Sequence, residues 1–374
     1  MDKNEQIQKA GEGANQFQAG IVAVKNIYVG ITEKEAREIF ADEMAKRAKY
    51  LAVEAQDIAT KRMLDLFADL MARVKKCEKD LSSFSDPGFL QNLRAAQEAA
   101  AVSERKEDIE ILSELLLARM NGKLKRSTKT GLRKAIEIVP EMEDKELTAL
   151  TVLLFCNNYC INSTMALHVD KYLANLDGYF AKIVSTSGLP QGARWLQHLS
   201  ILNCVEVNPL GSFAKLEDYY TKSFNGIICV GIAKGSPEHI EAVKIMNECG
   251  LGADILVQND LLPEYVRLPL VDLNDLSLLP LNIPNTERIH AMKPTEKHKE
   301  GLKKVISLYK KDGALLQKAK SVFGENMSKC GAMYQFREWL VSQKRGFELT
   351  PIGEALAYVN ARRCIPELPI MELE

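Results

Sequence analysis

The sequence predicts a mainly α-helical protein whose C-terminal half combines α-helices with β-strands. Apolar residues recur at helical spacing in the first half of the chain, as Phe40, Met44 and Ala48 do. No glycine or proline interrupts residues 31–86. Further on, Gly226–Ala233 is an apolar run of the type that forms buried strands, and a helical pattern follows it. These three observations predict long helices in the first half of the chain and a mixture of helices and strands in the second.

The composition is that of a globular protein with a packed core. The chain has 374 residues, of which 46% are hydrophobic and 26% charged, and its formal net charge is −1. A chain of this length predicts about two or three domains. A net charge so close to zero argues against bulk binding of nucleic acid, although it leaves room for local basic patches.

The N-terminal segment has the alternation of a β-strand. Phe17, Ala19 and Ile21 alternate with Gln16 and Gln18, and glycines bound the segment. An isolated two-stranded hairpin is only marginally stable in water, so strands near the end of a chain need a partner. We expect this partner to be the same segment of another subunit.

One long helix is predicted after this segment. Thr32 and Glu35 form a capping box, and the helix they begin meets no glycine or proline before Pro87. Its apolar positions have a mean spacing of about 3.8 residues, nearer to an eleven-residue repeat than to a heptad. Such a helix is about 70 Å long at its rise per residue, which exceeds one small domain. The apolar positions are Ala36, Phe40, Met44, Ala48, Leu51, Ala55, Ile58, Met63, Leu66, Leu70 and Val74.

Two interpretations of the long helix remain open. It packs against its own chain, or it joins a bundle between subunits. We favour the bundle, because the preceding strand also lacks an evident partner in its own chain. The spacing then favours a straight or slightly right-handed bundle. The residues predicted to make the subunit contacts are Phe17, Ala19, Ile21, Phe40, Leu51, Ile58 and Leu66.

Breaks in the pattern divide the chain into three predicted domains. Residues 1–85 form the strand and long-helix oligomerisation module, residues 86–185 a helical domain, and residues 186–374 an α+β domain. Asp86 is predicted to cap the first helix of the middle domain, with Pro87 in its first turn.

The C-terminal domain contains two segments that resemble elements of a winged helix. In Gly192–Pro209 a helix leads into a short strand, and in Met333–Leu356 a strand ending in Leu-Thr separates two helices. A winged helix places basic and polar residues of its recognition helix in the major groove, beside a basic wing. Such folds also serve as protein–protein modules, which the interleaved acids Glu338 and Glu348 favour. The candidate nucleic-acid contacts are Arg194, Arg337, Lys344 and Arg345.

No motif in the sequence specifies a reaction. The eight cysteines form no CxxC pair, and Cys156 and Cys160 lack two further ligands at zinc-site spacing. We interpret the cysteines as buried thiols of a reducing compartment. The glycines at Gly231 and Gly235 match neither the dinucleotide nor the Walker phosphate-loop pattern. The sequence therefore predicts no cofactor and no metal, and it leaves open an active site assembled from residues distant in sequence.

The sequence also predicts neither a secretory signal nor a membrane span. The N-terminus is polar through Gln18. The longest apolar stretch, Leu147–Phe155, is shorter than the roughly 20 residues that a bilayer requires. We therefore expect a cytoplasmic protein.

Several short motifs follow one another along most of the chain. They are the segment Gly13–Gly20, Asp86-Pro87-x-Phe89, Ala96-Gln97, Leu115-Leu116 with Arg119, Ala135-Ile136-Glu137 with Pro140, Leu147 with Leu150, and Phe347–Gly353. Together they resemble an uncharacterised bacterial protein family. The motifs are structural in type, so the resemblance implies no catalytic residues. It does imply an accessory protein of bacteria, with a role in antiphage defence.

Three functions follow as hypotheses. The leading one is a non-enzymatic homo-oligomeric scaffold or sensor of antiphage defence, whose partners are copies of itself and a partner protein. The second is a winged-helix regulator that binds nucleic acid. The third is an enzyme whose site combines residues distant in sequence.

Overall fold

The computed structural model describes residues 33–120, 124–159, 168–185, 187–208, 210–222, 226–270, 279–281, 290–343 and 345–368. Helices dominate this part of the chain. The α-helices are α1 (Glu33–Lys76), α2 (Pro87–Val102), α3 (Lys106–Arg119), α4 (Arg126–Ile138), α5 (Asp144–Asn158), α6 (Val169–Val184), α7 (Arg194–Ile201), α8 (Leu216–Lys222), α9 (Pro237–Cys249), α10 (Glu296–Ser307), α11 (Gly313–Met327), α12 (Ala332–Ser342) and α13 (Pro351–Cys364). Short 3-10 helices cover Leu81–Ser85, Val139–Glu141 and Ala253–Ile255.

The strands of the described residues are short and belong to the C-terminal half. They are β1 (Val205–Asn208), β2 (Ile232–Ala233), β3 (Val257–Gln258), β4 (Tyr265–Arg267), β5 (Leu279–Leu281), β6 (His290–Met292) and β7 (Gly346–Leu349). They form three antiparallel sheets, β1–β7, β2–β4–β3 and β5–β6. The predicted fold class is confirmed: the protein is mainly α, with a mixed α and β part in its C-terminal half.

The long helix predicted near the N-terminus is α1. It has 44 residues and is roughly 66 Å long at the usual helical rise. It begins at Glu33, next to the predicted cap, but Thr32 itself lies outside the described residues. The helix ends at Lys76, well before Pro87. Two residues later, Glu78 adopts the left-handed conformation with φ 49°. The predicted N-terminal strands also lie outside the described residues.

The chain divides into two compact units. The first comprises Met1–Lys61 and the second Arg62–Glu374. The predicted boundary between residues 185 and 186 falls inside the second unit, whose main hydrophobic core runs from Leu66 to Ile365. Contacts therefore divide the chain at a different place from the breaks in its sequence pattern.

The C-terminal helix α13 completes the helical core of the second unit. It packs against α3, α4 and α5. The apolar stretch in α5, Leu147–Phe155, is buried throughout, because helices cover it on several sides. As predicted, Asp86 caps α2 by accepting a hydrogen bond from the backbone N–H of Gly88, with Pro87 at the first helical position.

The strand predicted over Gly226–Ala233 is wrong for most of its length. Only Ile232 and Ala233 pair with a neighbouring strand, β4. Gly231 has φ +80°, a left-handed conformation that a regular β-strand does not contain. The carbonyl oxygens of Cys229 and Val230 instead accept hydrogen bonds from the side-chain amide of the fully buried Asn259, at 2.8 and 3.1 Å. A side chain thus satisfies the backbone groups that a strand partner would otherwise bind.

The two segments predicted as winged-helix elements lie together. Their strands pair as β1 and β7, with Val205 opposite Leu349. Their aromatic side chains also pack together, since the ring of Trp195 is 5.5 Å from that of Trp339 and 5.6 Å from that of Phe347. The indole of Trp339 donates a 2.7 Å hydrogen bond to a backbone carbonyl. Two segments far apart in sequence therefore build one buried cluster.

Candidate functional site

The first unit contains an uninterrupted exposed stretch of helix α1. Every residue from Arg37 to Ile58 is exposed. Large apolar side chains are among them: Phe40 is 68% exposed, Met44 51%, Leu51 52% and Ile58 46%. Apolar residues at regular helical intervals on an exposed helix are typical of an interaction surface.

Three consecutive heptads of one pattern begin within this stretch and end three residues after it. They are Ala41–Arg47, Ala48–Glu54 and Ala55–Lys61. Each begins with alanine, has a large apolar residue at its fourth position and has a second alanine at its fifth. The first and fourth positions correspond to a and d of a coiled coil, which line one side of a helix. We call these six residues the heptad seam: Ala41, Met44, Ala48, Leu51, Ala55 and Ile58.

The mean spacing derived from the whole helix was misleading, because it combines two different registers. Within the heptad seam the intervals alternate between four and three residues, as in a left-handed coiled coil. In the second unit, α1 instead buries Leu66, Leu70 and Val74, which are not a or d positions of the heptads. The expectation of a straight or right-handed bundle therefore does not apply to the exposed stretch.

The predicted subunit-contact residues fall into three groups. Phe40, Leu51 and Ile58 are exposed in the first unit. Leu66 is fully buried in the core of the second unit, so its side chain packs within its own chain and leaves no surface for another subunit. The remaining three, Phe17, Ala19 and Ile21, lie outside the described residues.

The predicted nucleic-acid contacts differ in their surroundings. Arg194, at the start of α7, and Arg345, before β7, are exposed. The guanidinium of Arg337 forms ion pairs with Glu217 at 2.8 Å and with Glu338 at 3.2 Å. The fourth candidate, Lys344, lies outside the described residues.

The strands beside these candidates carry acidic residues. Glu206 of β1 lies directly opposite Glu348 of β7, and both are exposed. Like charges facing each other across a strand pair destabilise it, and they repel phosphate groups. The exposed face of β1 and β7 is therefore unlike a basic wing.

A buried carboxylate in the second unit holds a histidine, which sequence analysis missed. Both carboxylate oxygens of Glu146, in α5, are 2.9 Å from Nδ1 of His198, in α7. Glu146 is 1% exposed, and burial raises its pKa even though His198 opposes the rise. His198 itself is partly buried. The capping-box role of Glu146 was readable from sequence, but its partner 52 residues further on was not.

A carboxylate–imidazole pair orients a catalytic base when a nucleophile faces the other ring nitrogen. Among the described residues, no hydrogen bond reaches Nε2 of His198. The nearby thiol of Cys204 is fully buried, and burial together with the charge of Glu146 raises its pKa to about 12. It is therefore a neutral thiol at physiological pH. The pair joins helices α5 and α7, and no nucleophile among the described residues is hydrogen-bonded to its free ring nitrogen.

One group of described residues has donor atoms close enough to share a metal ion. The ligand atoms of His168, Asp170 and Asp260 lie within 4.8 Å of one another. The side chains of His168 and Asp260 are 55% and 32% exposed, and a carboxylate oxygen of Asp260 accepts the backbone N–H of Val169 at 2.9 Å. The carboxylate of Asp260 thus anchors the start of α6.

The cysteine prediction can be followed for the described thiols. All seven of them are free, with Cys156, Cys204 and Cys229 buried and the other four half-buried. Helix α5 ends at Asn158, before Cys160, which lies outside the described residues. The structure therefore does not place Cys156 and Cys160 on one helical face.

Comparison with known proteins places the chain in a family. The chain belongs to an uncharacterised protein family. The family's model matches residues 30–373, which include the described helices and strands but not the Gly13–Gly20 motif. No curated protein and no solved structure matches the chain.

None of the helices in the described part of the chain combines the length and apolar character needed to cross a membrane. The heptad seam is a regular exposed apolar feature of the described part of the first unit. It was present in the sequence, and aligning residues 41–61 in heptads reveals it. An average taken over the whole helix concealed it.

Proposed function

We propose that this protein is a non-enzymatic homo-oligomeric scaffold or sensor, assembled through helix α1. The heptad seam is the observation that carries the proposal. Its large members Met44, Leu51 and Ile58 are exposed in the isolated chain, and their heptad spacing is the spacing at which two helices bury such residues against each other. Burying these side chains would supply the favourable free energy of assembly.

The biological setting that we propose is antiphage defence in the bacterial cytoplasm. The resemblance of the motifs supports this setting. The leading alternative, binding of nucleic acid through the paired strands β1 and β7, is disfavoured by the facing acids Glu206 and Glu348 and by the ion pairs of Arg337.

The proposal is tested by measuring the molar mass of the full chain by light scattering across a range of concentrations. The seam variant Met44→Lys/Leu51→Lys places charges on the apolar face and should give the mass of one chain. The matched control is Ile39→Lys/Val53→Lys, which changes two exposed apolar residues of the same helix outside the seam. It should assemble as the natural chain does.

Two results would contradict the proposal. One is a natural chain that has the mass of one subunit at all concentrations up to tens of micromolar. The other is a seam variant that assembles as well as the control. Circular dichroism of each variant verifies that its helix content is unchanged.

A further inference from the structure

The arrangement of alanines and charges around the heptad seam indicates which way the second helix runs. Resting on the assembly proposed above, we propose that two copies of the chain pair antiparallel through α1, with each seam alanine against a large seam residue of the partner. The charges that flank the seam fix the register, through Arg47 of each chain beside the partner's Glu54.

The sizes of the seam residues favour the antiparallel direction. In an antiparallel pair, the a positions of one helix face the d positions of the other. Ala48 then lies against the partner's Leu51, Ala55 against the partner's Met44, and Ala41 against the partner's Ile58. Every layer combines one small and one large side chain, so the helices pack closely and at even distance along the whole seam.

A parallel pair would pack unevenly. In that direction a faces a and d faces d, so layers of two alanines would alternate with layers of two methionines, leucines or isoleucines. A separation that suits the large layers leaves voids at the alanine layers, and such voids cost stability. The fifth position of each heptad, occupied by Ala45, Ala52 and Ala59, is also small and permits close approach on one flank.

The charges that flank the seam give a second, independent indication. The seventh positions of the heptads are Arg47, Glu54 and Lys61. In an antiparallel pair the seventh positions of the two helices lie beside each other along one flank. The register given by the layers then brings Arg47 of each chain next to Glu54 of the other, so the dimer contains two such pairs related by its twofold axis. In a parallel pair they lie beside the fifth positions, which are all alanine, so no ion pair forms.

Charged residues at both ends limit the length of the seam. The next core positions before and after the three heptads are Arg37 and Arg62. Arg62 belongs to the second unit, where its guanidinium donates a 3.1 Å hydrogen bond to the backbone carbonyl of Ala101. Charged residues at both ends restrict the apolar contact to residues 41–58, which removes the freedom to slide by a heptad.

Cysteine cross-linking reads the direction. In the double variant Met44→Cys/Ala55→Cys, the two new thiols of one helix are about 16 Å apart and cannot join each other. The antiparallel pair places Cys at 44 against Cys at 55 of the partner. Trypsin separates the sites into peptides 38–46 and 50–61, so mass spectrometry after mild oxidation should find these two peptides linked. The single variants Met44→Cys and Ala55→Cys should cross-link at least tenfold less at the new site.

The cross-linking outcomes separate the two proposals. Links of each peptide to its own copy would overturn the antiparallel register while supporting assembly through the seam. No link at either site, with a chain that has the mass of one subunit, would overturn both. No link at either site in a chain that still assembles would place the contact elsewhere and overturn the seam itself.

A charge exchange tests the register by affinity. Glu54→Arg sets like charges against Arg47 of the partner on both sides, and we expect the dissociation constant of the dimer to rise about tenfold at low salt. The exchange Arg47→Glu/Glu54→Arg restores opposite charges and should recover most of the loss. Asp57→Arg, an exposed change of the same charge outside the seam, is the control. An unchanged dissociation constant for Glu54→Arg, or a double variant weaker than the single one, would overturn the register.

Discussion

The side-chain amide of Asn360 donates a 2.8 Å hydrogen bond to the hydroxyl of Thr151 across the centre of the second unit. Both side chains are buried, and the two residues are 209 positions apart in sequence. The hydroxyl of Thr151 in turn donates to the carbonyl oxygen of Leu147, and the amide oxygen of Asn360 accepts from Arg363. This chain of hydrogen bonds ties α13 to α5.

Replacing Asn360 with alanine should therefore destabilise the second unit. The change leaves the buried hydroxyl of Thr151 and the guanidinium of Arg363 each short of one partner. We expect a loss of about 2 kcal/mol in the free energy of unfolding, measured by urea denaturation. Glu354→Ala, on an exposed position of the same helix, is the control and should change stability by less than about 0.5 kcal/mol. Equal effects of the two changes would contradict a special role for the buried pair.

Gly353 allows α13 to lie close to the backbone of Cys204, the residue before β1. A β-carbon at this position would be 2.1 Å from the backbone carbonyl oxygen of Cys204. Gly353→Ala should destabilise the protein by about 1–3 kcal/mol, because the backbone must move to admit the methyl group. The matched control is Gly178→Ala in α6, where no atom lies within 4 Å of the added carbon. There alanine should stabilise the helix by roughly 0.5–1 kcal/mol, and a destabilised control would contradict this account.

The buried thiols should resist alkylation in the native protein. Burial raises the pKa of Cys156 and of Cys204 to about 12 and that of Cys229 to about 11, so these thiols are protonated as well as shielded. With iodoacetamide at pH 8, mass spectrometry should show labelling of the half-buried Cys77 and Cys249 first. All of them should react once urea unfolds the chain. Early labelling of Cys156 would contradict the packing of α5.

Asp108 should make the protein less stable as the pH rises from about 4 to 6. Burial raises its pKa, against the effects of Ser103 and Arg105. A carboxyl group whose pKa is higher in the folded state stabilises the fold most at a pH below its pKa in the unfolded chain, about 3.9. This stabilisation is lost as the pH rises through the pKa of the folded state. Asp108→Asn lacks this titration. The free energy of unfolding of the variant minus that of the natural protein should therefore increase between pH 4 and pH 6. A constant or falling difference would contradict the raised pKa.

Local patterns in the sequence determined many of the elements. The cap at Asp86, the start of the long helix and the helix Pro237–Cys249 follow from capping residues, prolines and apolar spacing. These signals act over a few residues, so they are readable without knowing the fold. The heptads of residues 41–61 belong to the same class, because their repeat is local.

Tertiary structure decided the rest. Only packing shows that Leu66 is buried while Leu51, on the same helix, is exposed. Only the fold brings His198 to Glu146, pairs β1 with β7 and places α13 over α5. Residues that meet across fifty or more positions leave no periodic signal in the chain, because their contact depends on how whole helices pack. The sequence therefore determined where helices begin and which face of α1 repeats, whereas packing determined which apolar residues are buried and which remain exposed.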